Sequence, residues 1–248
     1  LMNNSGANSI GYSAVYLLGV DGYEVSGNSI GNIETTAKNP TGIYIGSNSI
    51  NGEISKNNIS NVAYTGTGGY GGKGIWLLPS NSTANTVIRN NFISDIKGDG
   101  WNTFASDAII GISVANSGSA GGVSVYNNSV NLGSGAFTGY NNGTLSSAFY
   151  VGSSATGLDI RNNIFTNNLV NSSNSTAKSY SFYSAAPSSA YTAIDNNCYG
   201  VAGSQGVLAN LGSDLNTLAA IIAVGGNQNS QQSYPSFASS TNLHLTSA

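Results

Sequence analysis

The hexapeptide Ile88-Arg89-Asn90-Asn91-Phe92-Ile93 recurs along this chain as an apolar residue, two variable residues, Asn, one variable residue and a second apolar residue. The same frame spans residues 25–30, 54–59, 125–130, 160–165 and 194–199. Its fixed asparagines are Asn28, Asn57, Asn91, Asn128, Asn163 and Asn197, separated by steps of 29, 34, 37, 35 and 34 residues. A nearly constant step of this size restricts the chain to a repeat architecture, in which each unit buries its apolar face against its neighbours.

Asparagine suits a sharp bend that is needed once per unit. Most side chains avoid the left-handed backbone region because Cβ meets the carbonyl oxygen, whereas Asn tolerates it. The fixed Asn is therefore expected in that conformation. Units stacked at the strand spacing of about 4.8 Å would let the six amides donate and accept along one ladder.

A second apolar stretch lies upstream of each bend: 14–18, 42–45, 74–78, 109–114, 148–151 and 180–183. Each unit thus reads strand, short loop, strand, Asn bend, strand and long loop. No two-residue hairpin turns separate the copies, so equivalent strands should stack in parallel. Two inward columns follow. One is Val25, Ile54, Ile88, Val125, Ile160 and Ile194; the other is Ile30, Ile59, Ile93, Val130, Phe165 and Tyr199. Asn48 also fits the bend frame and leaves two registers open for the second unit. After residue 200 the frame stops. Residues 213–224 show a helical pattern, with Ser213 as N-cap and Gly225-Gly226 as terminator, and residues 242–245 alternate like a short strand. The expected organisation is one domain: solenoid coils over 1–200 and a C-terminal cap over 201–248.

Charged residues make up only 7 % of the chain, with a net charge of −3, so Ser, Asn, Gly and Tyr must cover the surface. No basic patch is interleaved with aromatics, which argues against nucleic acid as a partner. No apolar run is long enough to cross a membrane. The one cysteine, Cys198, has no partner for an internal disulfide, and no Cys/His spacing suits zinc.

The [Ile/Val]-x-Asn-Asn-x-[Ile/Val/Phe] bend, the Gly-Ile-[Tyr/Trp] strands and the closing segment from Leu211 through Pro235-Ser-Phe to Asn242-Leu-His-Leu resemble the right-handed parallel β-helix superfamily of pectate-lyase type. More narrowly, they resemble repeat regions of large secreted proteins of Bacteroidetes-like bacteria. The resemblance covers nearly the whole chain. It implies an all-β, right-handed parallel β-helix of about six coils at an extracellular or cell-surface location. It says little about activity, since the fold carries lyases, hydrolases, adhesins and fibres.

Candidate chemistry is sparse. Asp95, Asp99 and Asp107 gather near the third coil's long loop; active-site carboxylates, a calcium or loop-stabilising site and a solvated loop are the three readings, and calcium is the sole cofactor considered. Arg89, Tyr126, Arg161 and Asp195 hold equivalent positions and should form an outward stripe, with Arg161 paired to Asp195 and both arginines over Tyr126. Tyr70 and Trp101 are candidate glycan contacts, while Trp76 matches Tyr16 and Tyr44 in position. His244, the sole histidine, sits in the closing segment, away from any triad partners. No catalytic residue is assigned. The expected function is a non-enzymatic structural or adhesive module, with a polysaccharide-active enzyme or carbohydrate-binding module as the alternative. The start, Leu1-Met2 followed by Asn8-Ser9-Ile10, reads as solenoid already under way. Expected partners are therefore the rest of a longer parent chain or other copies of the protein, together with surface glycans.

Overall fold

The structure, a computed structural model, describes residues 11–101, 107–137 and 145–246. It is an all-β parallel solenoid of about five turns. The first sheet stacks Ser13–Leu17, Thr41–Ile45, Lys73–Leu77, Ile109–Val114, Leu145–Val151, Lys178–Ser184 and Gly206–Leu211, all parallel, and ends on the antiparallel Asp214–Leu215. The second stacks Glu24–Ser26, Glu53–Ser55, Val87–Arg89, Ser124–Tyr126, Leu158–Arg161 and Tyr191–Asp195. The third runs from Ser29–Thr35 through Asn58–Tyr64, Phe92–Ser94, Ser129–Phe137, Ile164–Asn171 and Cys198–Val201 to Gln231–Gln232. The solenoid thus continues past residue 200. The strands at 206–211 and 231–232 add to it although neither carries the repeat frame.

Both inward columns hold the expected register, each residue lying opposite its counterpart one level on. All twelve side chains are buried in one core. A third column from the first sheet joins them: Val15, Ile43, Ile75, Ile112, Phe149, Phe182 and Ala209. The recurrent Gly-Ile pair has a steric cause. A Cβ on Gly74 would lie 2.5 Å from Ile93 Cγ2 and 2.6 Å from the Gly111 carbonyl, so this point of the strand packs against its neighbours only as glycine.

The asparagines form an uninterrupted chain of hydrogen bonds. At each step from Asn28 to Asn197, the backbone N–H and the Nδ2 of one Asn both donate to Oδ1 of the next, at 2.9–3.0 Å. From Asn57 onward, Nδ2 also donates to the carbonyl of a column residue one level back: Val25, Ile54, Ile88, Val125 and Ile160. Both lone pairs of Oδ1 and both Nδ2 protons are thereby used from Asn57 to Asn163, where the side chains are no more than 1 % exposed.

The left-handed residue is not the ladder Asn but the one before it, which corrects the expectation from sequence. Gly27, Lys56, Asn90, Asn127, Asn162 and Asn196 have φ between 55° and 69°. The Asn-Asn doublet therefore divides two tasks: the first residue turns the backbone, and the second turns its amide inward to bond. Asn48 has φ 60° and makes an ordinary turn whose N–H bonds Pro79 O, so it stands outside the ladder. The ladder ends on Ser230, whose Oγ accepts from the N–H of Asn197.

The helix is shorter than expected, Leu218–Val224, and its N-cap is Thr217 rather than Ser213. Residues 214–215 instead pair with the last strand of the first sheet, which takes Ser213 out of helical geometry. The helix packs on strands 206–211 and 214–215 and buries Ile221. Residues 242–245 form no strand. They are held by one antiparallel bridge, Phe237 to Leu245, and by the buried Leu243. The expectation for the N-terminal end falls on residues 1–10, outside the described residues.

Replacing Asn128 with Ala should lower stability by about 3–5 kcal/mol, because it orphans the buried Nδ2 of Asn91, its N–H and the Ile88 carbonyl together. Asn28→Ala, at the exposed end, should cost about 1 kcal/mol or less, since Asn57 Oδ1 keeps the Asn28 N–H. Equal shifts of the two urea midpoints would refute the ladder's role in stability. Lys56 is an ordinary L-residue at φ 56°. Lys56→Gly should therefore raise the midpoint, by about 1 kcal/mol, through relief of left-handed strain.

Candidate functional site

The described residues place most of the candidate side chains around the third coil. The loop before the strand Lys73–Leu77 and the loop after Ile96–Lys97 run beside each other, tied by an antiparallel bridge between Gly71 and Gly98. The N–H groups of Asp99 and Gly100 both donate to Tyr70 O. This pairing sets the Tyr70 and Trp101 rings nearly parallel, at 10° with centroids 6.4 Å apart, and both are half-buried. Tyr64 meets the Tyr70 ring edge-on, and the Lys38 amino group stands 4.7 Å from its centroid. The arrangement is an aromatic shelf with one cation over the face of Tyr70. Trp101 is further fixed through its carbonyl, which accepts from the N–H of Leu145.

The three aspartates nearby do not converge. Asp95 pairs with Lys97 at 2.7 Å. Asp99 accepts from the N–H of Gly69 at 3.0 Å; burial pushes its carboxyl up, against the pull of that bond. Among the described residues, no three His, Cys, Asp or Glu side chains are placed to share a metal ion. The calcium reading of Asp95, Asp99 and Asp107 is therefore without a cage.

Lys73 is not among the residues singled out from the sequence. Its register partners are Thr41 and Ile110, and its side chain is fully buried. Nζ donates to Asn39 Oδ1 at 3.4 Å and lies 4.8 Å from the Trp76 ring centroid. Burial pushes the ammonium down to about 7, with the charge of Asp107 working the other way. Trp76 stacks in register with Tyr16 and Tyr44 as expected, is buried, and donates Nε1–H to Asn116 Oδ1 at 2.8 Å.

The outward stripe keeps its register, with Tyr126 between Arg89 and Arg161 and Arg161 opposite Asp195. Its pairing differs from expectation. Arg161 binds Asp159, two residues back on its own strand, and stands 5.5 Å from the Tyr126 ring. Tyr126 in turn donates its hydroxyl to the same carboxylate. Asp195 is taken by the N–H and side chain of Asn229. Arg89 is drawn the other way along the stack, into a two-pronged contact with Glu53. For Arg161 the carboxylate on its own strand prevails over the one directly opposite, and Arg89, which faces Ser55 and Tyr126, reaches diagonally to Glu53; in both the guanidinium fork takes a carboxylate that offers both oxygens. Cys198 is half-buried with its thiol on the Ser233 carbonyl, and burial pushes the thiol up. His244 packs edge-on against Phe92.

Lys73 sets a pH dependence. Its folded-state value lies below the ordinary value of 10.5, so protonation favours unfolding and the penalty grows as pH falls toward about 7. Stability should therefore rise between pH 7 and 9, by on the order of 2 kcal/mol, and Lys73→Met should flatten that rise. A slope unchanged in the variant would show that Lys73 carries its charge in the fold. No protein-family model, curated protein or solved structure matches this chain.

Proposed function

We propose that this chain is a non-enzymatic structural or adhesive module of a secreted or cell-surface bacterial protein, a right-handed β-helix of the pectate-lyase-like type. The observation that carries this reading is the unbroken hydrogen-bond chain from Asn28 to Ser230, which joins every level of the solenoid into one stiff element. Four pairs of charged side chains on the wall neutralise each other: Glu53 with Arg89, Asp159 with Arg161, Asp95 with Lys97, and Lys178 with Asp214. Such a surface suits a spacer that carries load or presents a face, more than one that gathers charge on a substrate.

A carbohydrate-binding role is the second reading, favoured by the shelf of Tyr70 and Trp101. Parallel half-exposed rings offer a face on which a sugar ring can lie, and Lys38 could meet an acidic sugar at its edge.

Incubation with uronic-acid polysaccharides separates the readings. The proposal expects neither unsaturated products nor new reducing ends, and turnover abolished by Asp99→Asn would overturn it. Affinity electrophoresis in the same polymers decides the adhesive branch. Retardation that falls at least fivefold in Trp101→Ala would assign binding to the shelf. Retardation unchanged in that variant would remove the shelf from the account.

A further inference from the structure

Among the described residues, Lys73 is the one charged side chain that is fully buried. An ammonium taken out of water is costly, so the position calls for a reason. Its amino group stands against the side-chain amide of Asn39, with Nζ 3.4 Å from Oδ1. Asn39 lies 34 residues back in the chain, one full coil. Its backbone is left-handed at φ 56°, although Pro40 follows and the residue before a proline prefers extended angles. Two bonds hold this corner. The Thr41 hydroxyl donates to Asn39 O at 2.9 Å, and the N–H of Lys73 donates to Pro40 O at 2.9 Å. The second ties the corner directly to the residue that carries the amine. The buried Trp76 ring stands over Nζ, its centroid 4.8 Å away.

An amine and a carboxamide in contact are the two reactants of an amide exchange. In water the exchange is negligible, because lysine is protonated and the encounter is brief. Here both obstacles shrink. Burial favours the neutral amine, which keeps its lone pair for attack. Contact within the fold replaces a chance encounter, an advantage worth about 10⁵–10⁸ M in well-aligned intramolecular reactions. The charge of Asp107 also reaches the amine, which places a carboxylate where a proton has to move.

We propose that Lys73 and Asn39 join in an isopeptide bond that closes one coil of the solenoid covalently. Rotation of the Asn39 amide about Cβ–Cγ presents its carbon to Nζ. The Nζ–Cγ bond forms, one Nζ proton passes to Nδ2, the Cγ–Nδ2 bond breaks, and ammonia leaves. The exchange balances without an oxidant, a metal or a second substrate. The link joins the corner before Thr41–Ile45 to the start of Lys73–Leu77, two strands already paired in register. It turns a buried amine into a neutral amide, which removes the cost of its charge. The linked chain therefore loses the pH dependence that the amine imposes, and that dependence belongs to the unlinked chain. No ligand is involved, so the bond forms whether or not the aromatic shelf binds a glycan.

The test reads covalent mass on the intact protein. The purified chain, kept folded at mildly alkaline pH and then denatured, should weigh less than its sequence by one ammonia. Trypsin should leave residues 39–56 joined to residues 57–89 in one branched peptide, uncut after Lys73. Lys73→Met and Asn39→Ala should each restore the full sequence mass. The branched peptide from the unaltered chain decides the question even where a variant fails to fold. Full sequence mass in the folded, unaltered protein would overturn the proposal. So would an ammonia loss that maps to another asparagine, or one that survives in Lys73→Met.

Discussion

Each interior level of this solenoid depends on one carboxamide that has nothing left to give to water. From Asn57 to Asn163 the side-chain oxygen accepts twice and the nitrogen donates at least twice, all within the protein. Burying an amide without partners costs several kcal/mol, and burying it fully bonded costs little. The ladder is therefore a constraint as much as a source of stability. A level shifted by one residue would orphan two amides at once, and that penalty fixes the register that the apolar columns alone would leave loose.

The columns answer a different need. No single coil has enough apolar surface to offset the ordering of its own backbone, so a level is stable only when another lies on each side. The ends are then the places where composition must change. At the C-terminal end the change has two parts: the ladder is closed by a serine, and the second sheet is replaced by a helix that packs against the first. The replacement covers Ile221 and Leu215 well and the edge at 191–193 poorly.

On the wall, chemistry follows proximity rather than alignment. Arg161 faces Asp195 in register yet binds Asp159, because a residue two positions back on the same strand shares its face and presents both oxygens. Similarly, the shelf of Tyr70 and Trp101 is made by two loops pairing through their backbones, at Gly71 and Gly98. Neither contact leaves a periodic trace, and Lys73 leaves none either. Its ammonium is held between the Trp76 ring on its own strand and the Asn39 amide of the preceding coil, a meeting that no spacing announces.

The sequence by itself determined the solenoid, its parallel stacking, both core columns and the identity of all six ladder asparagines. These follow from side-chain type at fixed spacing, and the same requirement is written into the chain at every level. It also held, unread, the sign of the turn: the Asn-Asn doublet marks one residue for the backbone and one for the ladder. Only the tertiary structure decided which residue does which, since φ is set by the closure of the whole coil. It also decided which carboxylate each arginine takes, how Lys73 comes to be buried, and where Ser213 yields to Thr217 as the helix cap. Above all it decided that the last level omits a strand. Each of these happens once, between segments far apart in the chain, so no repetition could announce it.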